Sequence, residues 1–144
     1  MIERLRQTYR HLRVGPDHVA EIPLVSRSIV ESMSPSDRRH ALVTYAALRD
    51  AGADEELCLA GLLHDMGKPR EARLWHRVAA ALSPSLTVRL GTLARAYVAH
   101  PERGAEMARE LRLSDRIVRV IGRHHQPPVD EDDRVLRNAE RADA

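Results

Sequence analysis

A chain of 144 residues is the size of one domain, and at 43% apolar content it has enough to bury a core. Phe is absent, and Trp and Tyr number only one and three. Leu, Val, Ala, Ile and Met must therefore build the core, which favours helices over a sandwich of strands. No apolar run of about 18 residues occurs, which excludes a membrane-spanning helix. The opening MIERLRQTYRHLR is charged throughout and lacks the apolar stretch of a secretory signal. The lone cysteine, Cys58, lies in the apolar run LCLAGLL and reads as a buried structural thiol. A cytoplasmic location is the expectation.

Residues 1–21 are polar and contain Gly15-Pro16, a turn signal; they read as a peripheral helix or polar segment outside the main domain, 22–144. Apolar residues at 22, 25, 29, 30 and 33 recur with a helical period. Ser34-Pro35-Ser36-Asp37 is a helix start, with Ser as N-cap, Pro in the first turn and an acid near the positive end. That helix is expected to run to Asp50 and stop at Ala51-Gly52. Asp54-Glu55-Glu56 begins the most apolar helix, the expected centre of the core, ending near His64-Asp65. Two helices are expected over 70–82 and 84–98. Another should open at Pro101, and one should be capped by Ser114 and run to His124-His125. A last is expected from Asp132 to Asp143. No repeat and no strand-like alternation appears. The fold class is thus all-α: a compact single-domain bundle of six to eight helices.

Charge is uneven. The net charge is only +2, but from Lys68 to His124 there are 12 basic residues against five acidic ones. That excess would attract an anionic ligand. Without interleaved aromatic residues a nucleic-acid partner is not expected. Lys68 is the one lysine among 23 basic residues, and a compact ammonium is not interchangeable with a guanidinium fork at a tight site.

Eight histidines are also present. His40 lies mid-helix in RRHALVTYAAL. His64 and Asp65 end an apolar helix, where two polar side chains need a partner; a divalent cation is one, because imidazole and carboxylate both ligate it. On spacing alone a lone buried His is more often a hydrogen-bonded core residue than a ligand. The assembled set of His40, LLHDMGK at 62–68 and RADA with Asp143 resembles the HD-domain superfamily, whose pattern is H…HD…D on a helical bundle. The resemblance covers about 22–144. It implies that His40, His64, Asp65 and Asp143 ligate a first metal. His100 and the pair His124-His125 further resemble the subgroup with five histidines and two aspartates around two metals. That subgroup includes HD-GYP enzymes, membrane-bound cyclic-di-AMP phosphodiesterases and some diadenosine tetraphosphatases. It implies His100, His124 and His125 as second-metal ligands, with Asp65 bridging. Neighbours on a helix point about 100° apart, so the 124–125 pair requires a distorted helix end or a supporting role for one ring. His11 and His18 read as surface residues.

The implied activity is metal-dependent phosphohydrolysis of a phosphate ester or anhydride by a metal-bound hydroxide, with Asp65 and Lys68 catalytic. Lys68 would reach a phosphoryl oxygen, and Arg73, His76 and Arg77 would assist in binding substrate. Histidine-rich sites suit transition metals over Mg. Two ions are expected, Fe or Mn first, then Co, Ni or Zn. The expected partner is a small anionic phosphorylated molecule, a nucleotide or dinucleotide. No Gly-Tyr-Pro follows His125, where QPPVDEDD stands, so cyclic-di-GMP is not supported. The membrane parts of the cyclic-di-AMP enzymes are missing, and the tetraphosphatases carry His-Thr where this chain has His124-His125. A di-iron oxygenase and a non-catalytic metal-binding signalling module are the alternatives.

Overall fold

A computed structural model describes residues 22–71, 89 and 91–143, with only the backbone given at Asp143. Among these residues there are seven α-helices and no strand, an all-α fold. They are α1 Leu24–Ser32, α2 Pro35–Asp50, α3 Glu55–Leu63, α4 Thr92–Val98, α5 His100–Glu110, α6 Asp115–Arg123 and α7 Glu131–Glu140. A 3-10 turn, Arg141–Asp143, follows. None of these helices is long and apolar enough to cross a membrane.

Short-range chemistry sets the boundaries. Ser34 Oγ accepts the amide of Asp37 at 3.2 Å, with Pro35 at the first helical position of α2. Asp54 Oδ1 accepts from Leu57 N at 3.0 Å, starting α3. After α2, Gly52 takes φ 75°, a left-handed conformation that suits a glycine beyond a helix end. Asp130 and Asp133 form a reciprocal capping box at the start of α7.

α3 buries Leu57, Cys58, Ala60, Gly61, Leu62 and Leu63, so it is apolar nearly all round, as a central helix must be. It packs on α2 and α6; α5 lies on α6, and α7 crosses α2. The shared core holds Val30, Leu48, Leu62, Leu63, Ile121 and Leu136. Cys58 belongs to it, and burial pushes its thiol pKa up, as suits an inert structural thiol.

Three expectations are corrected in detail. Val25, counted in the apolar stripe of α1, is 60% exposed; Ser26 is buried instead, because the contact face centres on Val30 and Met33. The final α-helix stops at Glu140, so Asp143 lies in the 3-10 turn. α6 stops at Arg123, before the histidine pair. The helix expected over 70–82 and the first part of the one expected over 84–98 fall largely outside the described residues; the remainder of the latter is α4.

At one end, Arg116 of α6 ties three elements together. It donates to Asp132 of α7 through Nε at 2.9 Å and Nη2 at 2.8 Å, and through Nη1 to Asp54 at 2.8 Å. The Arg116 bonds hold the Asp132 carboxyl below its ordinary value of 3.8, against the opposing effect of burial.

Two stability predictions follow from this packing. Leu62, fully buried in α3, should cost about 2–5 kcal/mol when changed to Ala, measured by urea unfolding. Asp132→Asn should cost on the order of 1 kcal/mol at neutral pH. Because the folded carboxyl titrates below the unfolded one, its contribution is complete above the unfolded pKa and vanishes as pH falls through the folded value. The urea midpoints of wild type and Asp132→Asn should therefore draw together as the pH falls below the ordinary carboxylate range. A gap that widens in acid would contradict this.

Candidate metal centre

The centre begins where α3 ends. His64 is its C-cap residue, in the right-handed helical region at φ −56° and ψ −31°, and residues 64–67 form a turn. Met66 N donates to Leu63 O at 3.0 Å, and Lys68 N to Asp65 O at 3.0 Å. The turn leaves His64 at 1% and Asp65 at 2% exposure. Burying such groups is costly without compensation. Gly67 lets the turn press against the start of α5: a Cβ there would stand 2.1 Å from the carbonyl oxygen of His100 and 2.6 Å from Gly104 N. Close backbone approach at Gly67 is thus what brings His100 beside Asp65.

Three histidines are oriented in the same way. His64 Nδ1 lies 2.7 Å from Gly61 O, His100 Nδ1 2.6 Å from Tyr97 O, and His124 Nδ1 2.7 Å from Ile121 O. Each carbonyl lies three residues back, in the last turn of α3, α4 or α6, where helical carbonyls have no intrahelical donor. A carbonyl only accepts, so Nδ1 carries the hydrogen. In the neutral ring Nε2 then presents a lone pair, the arrangement that orients histidine toward a metal.

Those Nε2 atoms converge on Asp65. Oδ1 lies 3.1 Å from His100 Nε2 and 3.6 Å from His124 Nε2, and Oδ2 lies 3.4 Å from His64 Nε2. His100 Nε2 is 3.2 Å from His124 Nε2 and 3.2 Å from His125 Nε2. Lone pairs facing one another at this range, around a carboxylate, repel unless a cation lies among them. Asp65 Oδ1 is buried and accepts no hydrogen bond within the protein. Donor atoms around a cation with bonds of about 2.1 Å stand roughly 3.0–3.4 Å apart, close to the observed spacing. The donor set therefore fits a divalent metal. Two groups could hold one: Asp65, His100, His124 and His125, and alongside them His40, His64 and Glu140.

Electrostatics favour an ionised Asp65 among these rings. Burial alone would raise the Asp65 carboxyl, but His64 and the His100 and His124 rings outweigh it and hold it well below the usual range. Burial chiefly lowers His124. Partial desolvation, then His124 and His100, pushes His125 down to about 3. His64 is raised: burial opposes protonation, but Asp65 and Glu140 outweigh it.

The structure thus brings His40, His64, Asp65, His100, His124 and His125 to one place. Both members of the 124–125 pair take part because α6 ends before them; their ring centroids lie 4.3 Å apart, with His124 buried and His125 at the exposed rim. Lys68 is no free surface charge. Its Nζ donates to Asp65 Oδ2 at 2.5 Å, lies 3.8 Å from Asp37 Oδ1, and sits 5.7 Å from the centre of the Tyr97 ring. The Asp143 side chain and residues Arg73, His76 and Arg77 lie outside the described part. Glu140, Asp37 and Tyr97 were not expected from the sequence. Only Glu140 left a signal there, as an acid one turn before Asp143 on the same helical face.

Buried imidazoles around a buried aspartate, in a helical bundle, form a candidate metal site. Residues 38–144 match the family model of the HD domain, and the chain belongs to that family. HD domains are generally metal-dependent phosphohydrolases. No curated protein and no solved structure matches the chain.

Gly67→Ala should force the turn and α5 apart. The strain of overpacking is typically about 1–3 kcal/mol, and here the obstructing atoms are backbone. Elemental analysis should find less bound metal than in wild type, with a lowered melting temperature. Wild-type metal content in a folded Gly67→Ala protein would show that the close approach is not needed.

Proposed function

We propose that the protein is a phosphohydrolase that uses two divalent cations and acts on a small phosphate ester or anhydride, a nucleotide or dinucleotide. The observation that carries this reading is the convergence of carbonyl-pinned imidazoles on buried Asp65, His100 and His124 on its unpartnered Oδ1 and His64 on Oδ2. His40 and His64 would hold one cation and His100, His124 and His125 the other, with Asp65 available to both. Fe or Mn suits so many imidazoles better than Mg. When bound, such a pair supplies Lewis-acid activation of water and charge neutralisation at phosphorus.

The chain's own residues do the rest. The pinned Nδ1–H groups keep three imidazoles aimed inward without reorganisation. Asp65 spans the two groups with its two oxygens. Lys68 places an ammonium at the edge of the centre, beside Asp65 and Asp37, where an arriving phosphoryl oxygen can take its hydrogen bond. The basic excess from Lys68 to His124 favours an anionic substrate.

Metal analysis of the purified protein, followed by a phosphate-release screen over nucleotides and dinucleotides with Mn or Fe, tests the proposal. Run with and without oxygen, the screen also separates hydrolysis from di-iron oxygenation. A fully loaded protein that releases phosphate from none of them would refute it. Asp65→Asn should lose metal and activity together. Lys68→Ala should keep its metal and turn over about 10²–10³-fold more slowly, the usual loss for one positioned donor to a transition-state oxyanion. Wild-type turnover at equal metal loading would remove Lys68 from the mechanism.

A further inference from the structure

We propose that Glu140, the last residue of α7, is the carboxylate ligand of the His40–His64 half of the centre, the role that the sequence pattern gives to Asp143. The inference rests on the two-cation reading above.

Glu140 Oε1 lies 3.4 Å from His64 Nε2, the same separation as Asp65 Oδ2 from that nitrogen. His64 Nε2 therefore sits between two carboxylates. Its ring proton is committed to Gly61 O through Nδ1, so the neutral ring has no hydrogen for either acid. With the ring neutral, as a metal ligand must be, two anionic oxygens and one lone pair face a common point that a cation would satisfy. His40 completes the group: one ligand atom from each of His40, His64 and Glu140 falls within 4.8 Å of the others, and the His40 and His64 rings meet edge to face at 5.2 Å.

The surroundings of Glu140 point the same way. α7 carries arginines that make ordinary contacts elsewhere: Arg134 pairs with Glu131, and Arg137 donates to the backbone of Gln126. Glu140 pairs with neither; among the described residues its carboxylate is turned to His64 and is only 20% exposed. Residues 140 and 143 lie one turn apart on the same side, so helical register alone does not choose between them. The contact with His64 is the observation that speaks for Glu140, the Asp143 side chain lying outside the described part. The charge balance is also reasonable. Asp65 is shared, and Glu140 gives the half that has only two imidazoles an anionic donor of its own.

The test uses the full chain loaded with Mn, with metal per chain by elemental analysis, Mn affinity by titration and folding by circular dichroism. Glu140→Gln preserves length and shape but removes the charge. It should lose the ion of the His40–His64 half, keep the ion held by Asp65, His100 and His124, and need at least about tenfold more free Mn to refill, the loss that even an outer partner of a ligand brings. Glu140→Asp, whose carboxylate is withdrawn by one methylene, should fold and bind that ion more weakly, and it carries the test if the Gln variant does not fold. Asp143→Asn should keep wild-type metal content. Full loading of Glu140→Gln at wild-type affinity, or loss of the ion in Asp143→Asn alone, overturns the assignment while leaving two cations in place. A wild-type protein with one ion that survives His64→Ala overturns the two-cation reading, and Glu140 with it.

Discussion

One buried carboxylate organises this molecule. Asp65 lies at the end of the central helix with almost no access to water, and one of its oxygens has no donor within the protein. A bare carboxylate in that position would cost several kcal/mol. Histidines from three helix ends surround it, and together they form a cluster that could hold a cation. Lys68 completes the ring on the open side. The ends of α3, α4 and α6 meet at this point, and the middle of α2 sets His40 against His64.

The helix ends are more than boundaries. The last carbonyls of any α-helix lack intrahelical donors. In α3, α4 and α6 one of these carbonyls receives the Nδ1 hydrogen of a histidine three residues on. One interaction thereby satisfies a backbone acceptor, fixes a tautomer and aims Nε2. His64 and His124 follow their helices directly, and His100 follows α4 at a distance of two residues. Local backbone chemistry thus pre-organises a site assembled over long sequence separations.

The distal end of the bundle is held differently. Arg116 joins the start of α3 to α7, with Arg119 also reaching Asp132. These are partly solvated pairs of modest individual worth. Their geometric effect is to tie the start of α3 to α7, while the far ends of both helices meet at the centre. Arg123 and the Asp133 carboxylate secure the turn between α6 and α7, next to the histidine pair.

The helical class, the starts of α2, α3 and α6 and the buried character of α3 were legible in the sequence, because periodicity and N-capping act over a few residues. The order of the HD pattern singled out His40, His64, Asp65, His100, His124, His125 and Asp143; the structure sets the first six side by side, and the Asp143 side chain lies outside the described part. Other features depended on contacts between elements far apart in the chain. Where α6 ended decided that both His124 and His125 face the centre. The packing of α1 decided that Ser26 is buried and Val25 exposed. The meeting of the 64–67 turn with α2 set Lys68 between Asp65 and Asp37. The placement of α7 against α2 turned Glu140, and not merely some acid near the C-terminal end, toward His64. Local sequence determines which helices form and which groups need a partner. Only the packing of those helices determines which partner each group receives, because that choice rests on distances no short stretch of chain controls.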